Sequence, residues 1–306
     1  MFTGCDTTQV ENREFPDILT VTSDSDFSKE WLNGLQEGNK KIDYNHLKVI
    51  LVERGFLENE TKIAEMLALL KDDKNVPLNA YVAVTENVKE LTDVKLEEPL
   101  GNYLEKLLEK EDTVKKETYA TIGLLYQEQE NQMETLFLPC ISLVEEKPAV
   151  TAYEVYKRGK ALGLAETDMA FLSFFIGNDM KEYLLQIEEN QFIKLSSANN
   201  EIDFEWDRKN NGLLKKQVVV EIDCNAKIIP NIQMKNREEI ERQLEVWIEG
   251  YMTQKAAEML NQGIDVTNSF KKLGRETEWY IYYSQNPEIY ESEIEILFDV
   301  DIDLVD

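Results

Sequence analysis

Between Tyr44 and Asn87 the chain carries two apolar runs separated by one helical period, a spacing that leaves little choice of local fold. Leu47, Val49, Ile50, Leu51 and Val52 form a nearly unbroken apolar run, the pattern of a strand buried on both faces. Arg54 and Gly55 punctuate it. Ile63, Met66, Leu67 and Leu70 then repeat at helical spacing, with Asn59 or Thr61 as N-cap and Lys71 suited to the negative C-terminal end. Pro77 marks a turn before the second run, Ala80-Tyr81-Val82-Ala83-Val84. Two β-rich runs joined by a three-turn helix predict a parallel strand–helix–strand unit with a right-handed crossover.

The rest of the chain alternates between the two periods. Helices are expected over Ser28–Leu35, Val88–Val94, from Pro99 through Leu108, and over Thr113–Gln129. From Met133 the pattern turns to strands at 135–144, 149–156 and 160–164, followed by an apolar helix over Thr167–Ile176 whose phenylalanines read as core. Shorter strands follow at 183–187, 192–195 and 202–206. Asn210-Asn211-Gly212 reads as a hairpin turn, because Asn and Gly tolerate positive φ, and it leads to a returning strand over Val218–Ile229.

The longest helix is expected over 236–262, with Asn236 and Glu239 in a capping-box pattern and one apolar stripe from Ile240 to Leu260. Asp265 is expected to cap a short helix through Phe270 and Leu273. Ile294-Ile296-Phe298-Val300-Ile302-Leu304 alternates with acidic residues, which predicts a final antiparallel strand with one wet face. At 306 residues there is room for two or three cores, and three domains are expected at 1–131, 132–189 and 190–306. The fold class is mixed α/β (α+β), with mixed or antiparallel sheets covered by helices.

Charge narrows the partners. With 33 Lys and Arg against 60 Asp and Glu, the net charge of −27 repels phosphate backbones, so no nucleic-acid partner is expected. An anionic membrane surface is repelled for the same reason. Cys140 and Cys224 lie in apolar, strand-like contexts and read as buried small side chains; a bridge between them is the alternative, without support from their spacing. Cys5 follows Phe2-Thr3-Gly4, which resembles the end of a bacterial lipoprotein signal, cut just before a cysteine that then carries lipid. That reading requires an apolar segment upstream of Met1; its rival is a loose terminus with a chance cysteine.

No catalytic, cofactor-binding or metal-ligating residue is predicted. His46 is the only histidine, and beside a strand start a satisfied structural histidine is the commoner outcome. Nucleotide-binding, hydrolase and zinc-protease motifs do not occur. Asp299-Val300-Asp301-Ile302-Asp303 has the look of an acidic metal loop, but its apolar residues suit a strand and the glycine of a calcium loop is missing. Scattered carboxylates that meet in space keep an enzyme as an alternative.

Several segments together resemble the C subunits of spore-germination receptors, the Ger(x)C family. They are Gly4-Cys5, Arg13-Glu14-Phe15, the run His46-Leu47-Lys48-Val49-Ile50-Leu51-Val52, Leu69-Leu70-Lys71-Asp72, and Leu78-Asn79-Ala80-Tyr81-Val82-Ala83-Val84. Glu98-Pro99-Leu100 with Tyr103-Leu104, then Gly263-Ile264-Asp265-Val266 and the alternating final strand, continue the match in the same order. The chain departs from the family at Asp6, in the short span 22–28, and at 266–270.

The resemblance implies a three-domain lipoprotein anchored through Cys5 on the outer face of the inner spore membrane or the cell membrane. It also implies partners: an A-type and a B-type integral membrane subunit, assembled into a receptor for small nutrient germinants. It implies no catalytic residue and no cofactor, and leaves open whether this subunit touches the germinant. An extracytoplasmic adaptor or solute-binding lipoprotein is the alternative, and an acidic cytoplasmic enzyme the third reading if Met1 is the true start.

Overall fold

Val49, Ile50, Leu51 and Val52 are fully buried, as a strand covered on both faces requires. The structure, a computed structural model, describes residues 13–27, 41–72, 75–109, 120–132, 134–165, 167–178, 180–188, 191–209, 213–229, 237–273 and 277–305. These gather into two compact units, the first from described residues within 1–110, 119–132 and 136–164, the second from those within 111–118, 133–135 and 165–306. The expected helix over Ser28–Leu35, the N-terminal part of that over Thr113–Gln129, the turn at Asn210-Asn211-Gly212 and the cap Asn236 lie outside the described residues, as does Cys5.

The first unit opens with β1 (Arg13–Glu14), β2 (Ile18–Val21), β3 (Lys41–Ile42) and β4 (Val49–Glu53). Next come α1 (Glu60–Asp72), β5 (Tyr81–Thr85), α2 (Val88–Thr92), α3 (Leu100–Glu109) and α4 (Ile122–Asn131). It ends with β6 (Leu136–Val144), β7 (Lys147–Lys157) and β8 (Lys160–Ala165). Short β1 and β3 pair parallel with each other; the main sheet has six strands in the order β2-β4-β5-β6-β7-β8. Strands β2, β4, β5 and β6 run parallel, and β7 returns antiparallel to β6.

The predicted strand–helix–strand is present with β4 and β5 in parallel register, Val49 opposite Tyr81. The Asn59 side chain accepts from Lys62 N–H at 3.1 Å, which satisfies one of the first-turn donors of α1. Ile63, Met66, Leu67 and Leu70 face inward and are buried. Ala80 N–H bonds to Pro77 carbonyl at 3.1 Å and closes the turn that the proline marked. At the start of α3, Gly101 sits where a Cβ would meet the Asp17 carbonyl oxygen at 2.6 Å, so only glycine lets this helix come so close.

The β6–β7 turn stores strain. Glu145 and Glu146 have φ of 50° and 64°, the left-handed pair of a two-residue hairpin turn normally filled by Asn-Gly. The next hairpin solves the same problem with Arg158-Gly159, glycine taking the second position at φ 77°. Each non-glycine residue in this region costs about 1–2 kcal/mol. Glu145→Asn with Glu146→Gly is therefore expected to stabilise the chain by about 1–2 kcal/mol, read as a raised urea midpoint. No change would place the strain elsewhere.

The second unit contains α5 (Thr167–Ile176), β9 (Glu182–Glu188), β10 (Gln191–Lys209), β11 (Leu213–Ile229) and α6 (Arg237–Leu260). It closes with α7 (Ser269–Lys272), α8 (Thr277–Gln285), α9 (Tyr290–Glu293) and β12 (Ile294–Leu304). Its four-stranded sheet has the order β12-β11-β10-β9. Of the segment expected as a middle domain, 132–189, β6 and β7 pair in the first sheet and β9 in the second.

Two strand expectations are corrected here. The segments 192–195 and 202–206 are parts of one strand, β10, whose register shifts between Ser197 and Asn199. Asn178, at φ 62°, accepts from Asn200 N–H at 3.1 Å and donates to its carbonyl at 3.0 Å. That pairing carries the strand across a polar stretch that has no apolar alternation. The final strand alternates as expected, but β12 pairs parallel with β11, Val220 opposite Phe298, rather than antiparallel. Helices α6 to α9 intervene between the two strands, so the chain re-enters the sheet in the same direction.

The long helix covers the sheet. Ile248, Met252, Ala256 and Met259 are fully buried, while Ile240, Leu244 and Trp247 are half-buried. Its outer carboxylates turn to the edge of β12: Glu241 accepts from Leu304 N–H at 3.0 Å, Glu245 from Ile302 at 3.3 Å, and Glu249 from Val300 at 3.2 Å. Past the helix, Gly263 at φ 77° takes the left-handed position, and Ile264 N–H returns to the Met259 carbonyl at 2.9 Å.

Candidate functional site

Open parallel sheets commonly bind ligands beyond the carboxyl ends of their strands. In the first unit that position is filled by the chain's own side chains. After β2, the Ser23 N–H and hydroxyl both donate to Glu53 Oε2, at 2.8 and 2.7 Å, and Lys62 Nζ donates to the Ser23 carbonyl at 2.8 Å. The Ser23 hydroxyl and N–H hold the Glu53 carboxyl below its ordinary range. After β4, Arg54 Nε donates to Glu154 of β7 at 2.9 Å, and its Nη1 to Glu86 at 3.1 Å. The Glu154 side chain is only 2% exposed, and burial pushes its carboxyl pKa up against the opposing pull of Arg54. These polar groups at the strand ends are thus paired with one another within the chain.

A cleft of about 480 Å³ lies beside the strained hairpin. Its rim carries Lys95 and Lys147 against Glu97, Glu98, Glu145 and Glu146, with Glu98 already paired to Lys106 at 2.6 Å.

The wet face of the second sheet is acidic across three strands. Glu201, Glu221 and Asp299 stand opposite one another on β10, β11 and β12, and Asp223 stands opposite Asp301 in the next row. Like charges placed directly opposite cost stability, so packing does not explain this face. Together they line a shallow trough of about 390 Å³. Asp299, Asp301 and Asp303 are thus strand residues on one exposed side. Among the described residues no group of three or more His, Cys, Asp or Glu is arranged to hold a metal ion.

The buried turn after α6 is built on Asp265, which is 1% exposed. Its carboxylate accepts from Thr267 N–H at 2.9 Å, Ser269 N–H at 2.8 Å, Ser269 hydroxyl at 2.9 Å and Thr267 hydroxyl at 2.5 Å. Ser269 Oγ also meets Tyr290 Oη at 2.8 Å, and Ser173 of α5 donates to the Val266 carbonyl at 2.7 Å. Asn268 Oδ1 accepts from Thr135 N–H at 2.7 Å. The sequence marked Asp265 as a cap; the structure makes it the hub of a whole buried loop.

A second buried charge sits nearby in the fold. Lys216 of β11 donates to Tyr283 and Glu293, its ammonium lying over the Tyr283 ring at 4.5 Å. The Lys216 ammonium holds the Glu293 carboxyl below its ordinary range. Neither this cluster nor Arg54–Glu154 was found in the sequence. The one available signal was a charged residue inside an otherwise apolar strand, which Glu154 provides.

His46 lies exposed at the end of a short 3-10 turn, edge-on to the Phe15 ring at 5.1 Å. Cys140 and Cys224 are free and buried, and burial pushes each thiol up to about 12. Both therefore behave as small apolar side chains.

Residues 10–143 match the family described as the spore germination protein N-terminal domain. A search of curated protein sequences returned no match. Among solved structures the fold is similar to the crystal structure of the GerBC protein, with a TM-score of 0.63 and 12% identity, over 85% of this chain and 79% of that one. That likeness speaks for the fold, and the match over 10–143 for the N-terminal domain. Over residues 10–143, then, this chain is similar to the spore germination protein N-terminal domain.

Proposed function

We propose that this protein is the lipid-anchored C subunit of a spore germinant receptor. It works by protein–protein assembly with A-type and B-type membrane subunits in nutrient-triggered germination. The observation that carries this reading is the family match over 10–143, with a GerBC-like fold extending over most of the chain. Its place is the outer face of the inner spore membrane. No helix among the described residues is long and apolar enough to cross a membrane. A surface of net charge −27 does not adhere to anionic lipid by itself. Lipid on Cys5 supplies an attachment that charge cannot, since each buried methylene contributes about 0.8 kcal/mol.

In the full-length protein expressed with its native upstream sequence in a spore former, Cys5→Ala is expected to move the protein from the membrane to the soluble fraction. The fall in optical density on nutrient addition should slow in the same spores. Unchanged fractionation would end the lipid-anchor role, and failure of the wild type to co-purify with two integral membrane subunits would end the receptor assignment.

A further inference from the structure

The even-numbered residues at the end of β12 turn their N–H groups away from β11, toward the free edge of the sheet. There the bonds come from a helix. Glu249, Glu245 and Glu241, one turn apart on α6, take the N–H groups of Val300, Ile302 and Leu304 in reverse order. Four helical residues advance about 6.0 Å and two strand residues about 6.7 Å, so an antiparallel helix matches the edge nearly donor for acceptor. Open edges are templates for further strands, and covering them is the usual protection.

The cover is weakest at its start. All fully buried side chains of α6 lie from Ile248 onward, whereas Ile240, Leu244 and Trp247 are half-buried and Val246 is 66% exposed. The first three turns therefore rest largely on the carboxylate bonds, and weakly buried segments open first.

We propose that the first half of α6 is a strap that closes the β12 edge, and that an extended basic segment of a partner protein adds there when the strap lifts. The partner's chemistry follows from the side chains beside that edge. Asp299, Asp301 and Asp303 are exposed on one face of β12, backed on β11 by Glu221 and Asp223. A strand laid along β12 places alternate side chains next to these carboxylates, so Lys or Arg is favoured there. A second copy of this chain brings its own aspartates to the same place and is disfavoured. The proposal does not depend on the receptor reading.

The test uses the full chain with Glu241, Glu245 and Glu249 all replaced by Ala, which keeps helix propensity high. Hydrogen exchange over 299–305 should accelerate at least tenfold, with β10 and the middle of β11 unchanged. The variant should bind a labelled peptide of alternating Val and Lys at least tenfold more tightly than one of alternating Val and Glu, and more tightly than the wild type does. The triple Gln variant, whose amide oxygens still accept, should resemble the wild type and shows that the loss is not one of folding. Wild-type protection of 299–305 in the Ala variant would overturn the strap. Exposed amides with neither peptide bound, or with self-association in place of peptide binding, would overturn the basic partner.

Discussion

Asp265→Ala is expected to destabilise the chain by about 3–5 kcal/mol, the largest effect of any single substitution considered for the second unit. The carboxylate is buried and accepts from three backbone N–H groups, those of Thr267, Ser269 and Phe270, and from two hydroxyls. Alanine leaves the hydroxyls free to turn to other acceptors and the Ser269 N–H still on the Thr267 hydroxyl oxygen at 3.1 Å, but the Thr267 and Phe270 N–H groups lose their acceptor where the turn holds them. Each orphaned buried donor costs about 1–3 kcal/mol, and the lost bonds were charge-assisted. Asp265→Asn keeps one acceptor oxygen and presents an NH2 to the remaining donors, so about half the loss is expected. The check is urea unfolding together with hydrogen exchange at Thr267 and Phe270. A loss below about 1 kcal/mol would show that water or a rearranged turn satisfies those donors.

Arg54→Met should cost about 2–3 kcal/mol at neutral pH, because it leaves Glu154 ionised and buried without its partner. The figure is set below the roughly 3–5 kcal/mol of fully buried broken pairs, since the Arg54 side chain is 35% exposed and solvent screens part of its charge. The pH dependence has a definite sign. The Glu154 carboxyl already titrates above its ordinary range, because burial opposes its charged form more than Arg54 favours it. A carboxyl raised in this way binds more protons in the folded chain than in the unfolded one. Its contribution therefore favours folding at low pH and is lost as the pH rises through the raised value. Removing Arg54 widens that window upward. The variant should lose most at neutral pH and recover as the solution is acidified toward the ordinary carboxylate range. Arg54→Met with Glu154→Met should regain most of the loss, as buried ion pairs replaced by packed apolar groups commonly do. A pH-independent loss, unrelieved in the double variant, would mean that packing of the Arg54 stem matters and its charge does not.

The parts of the fold that were legible share one property: their signal is local. Val49 to Val52 announced a strand buried on both faces because four consecutive apolar side chains have no other economical arrangement. Ile63 to Leu70 announced a covering helix because a 3.6-residue period places them on one face. Ile294 to Leu304 likewise announced one wet face, and its alternation of burial is what the structure has. Strand direction was the wrong part of that expectation. Alternation is identical in parallel and antiparallel strands, and the direction of β12 depends on β11 and on the helices between them.

Pairings across the fold were out of reach for the same reason. Arg54 finds Glu154 at a separation of 100 residues, and Lys216 finds Glu293 at 77. Nothing in either neighbourhood names the other. Periodicity marked only the apolar stripe of α6, yet three of its glutamates are the hydrogen-bond acceptors of a sheet edge.

By itself, then, the sequence determined what each segment buries and where each turn falls, because those follow from side-chain period and from residues such as Gly263 and Asn59 acting on their immediate neighbours. It also carried the ordered residues that resemble the germination family. Only the tertiary structure decided which strands run together and which charges are neutralised. It decided, too, that Asp265 anchors a buried loop rather than only capping a short helix, and that α6 guards an edge. Those outcomes are set by contacts between groups distant in the chain, whose free energy depends on burial and geometry that exist only once the chain has closed on itself.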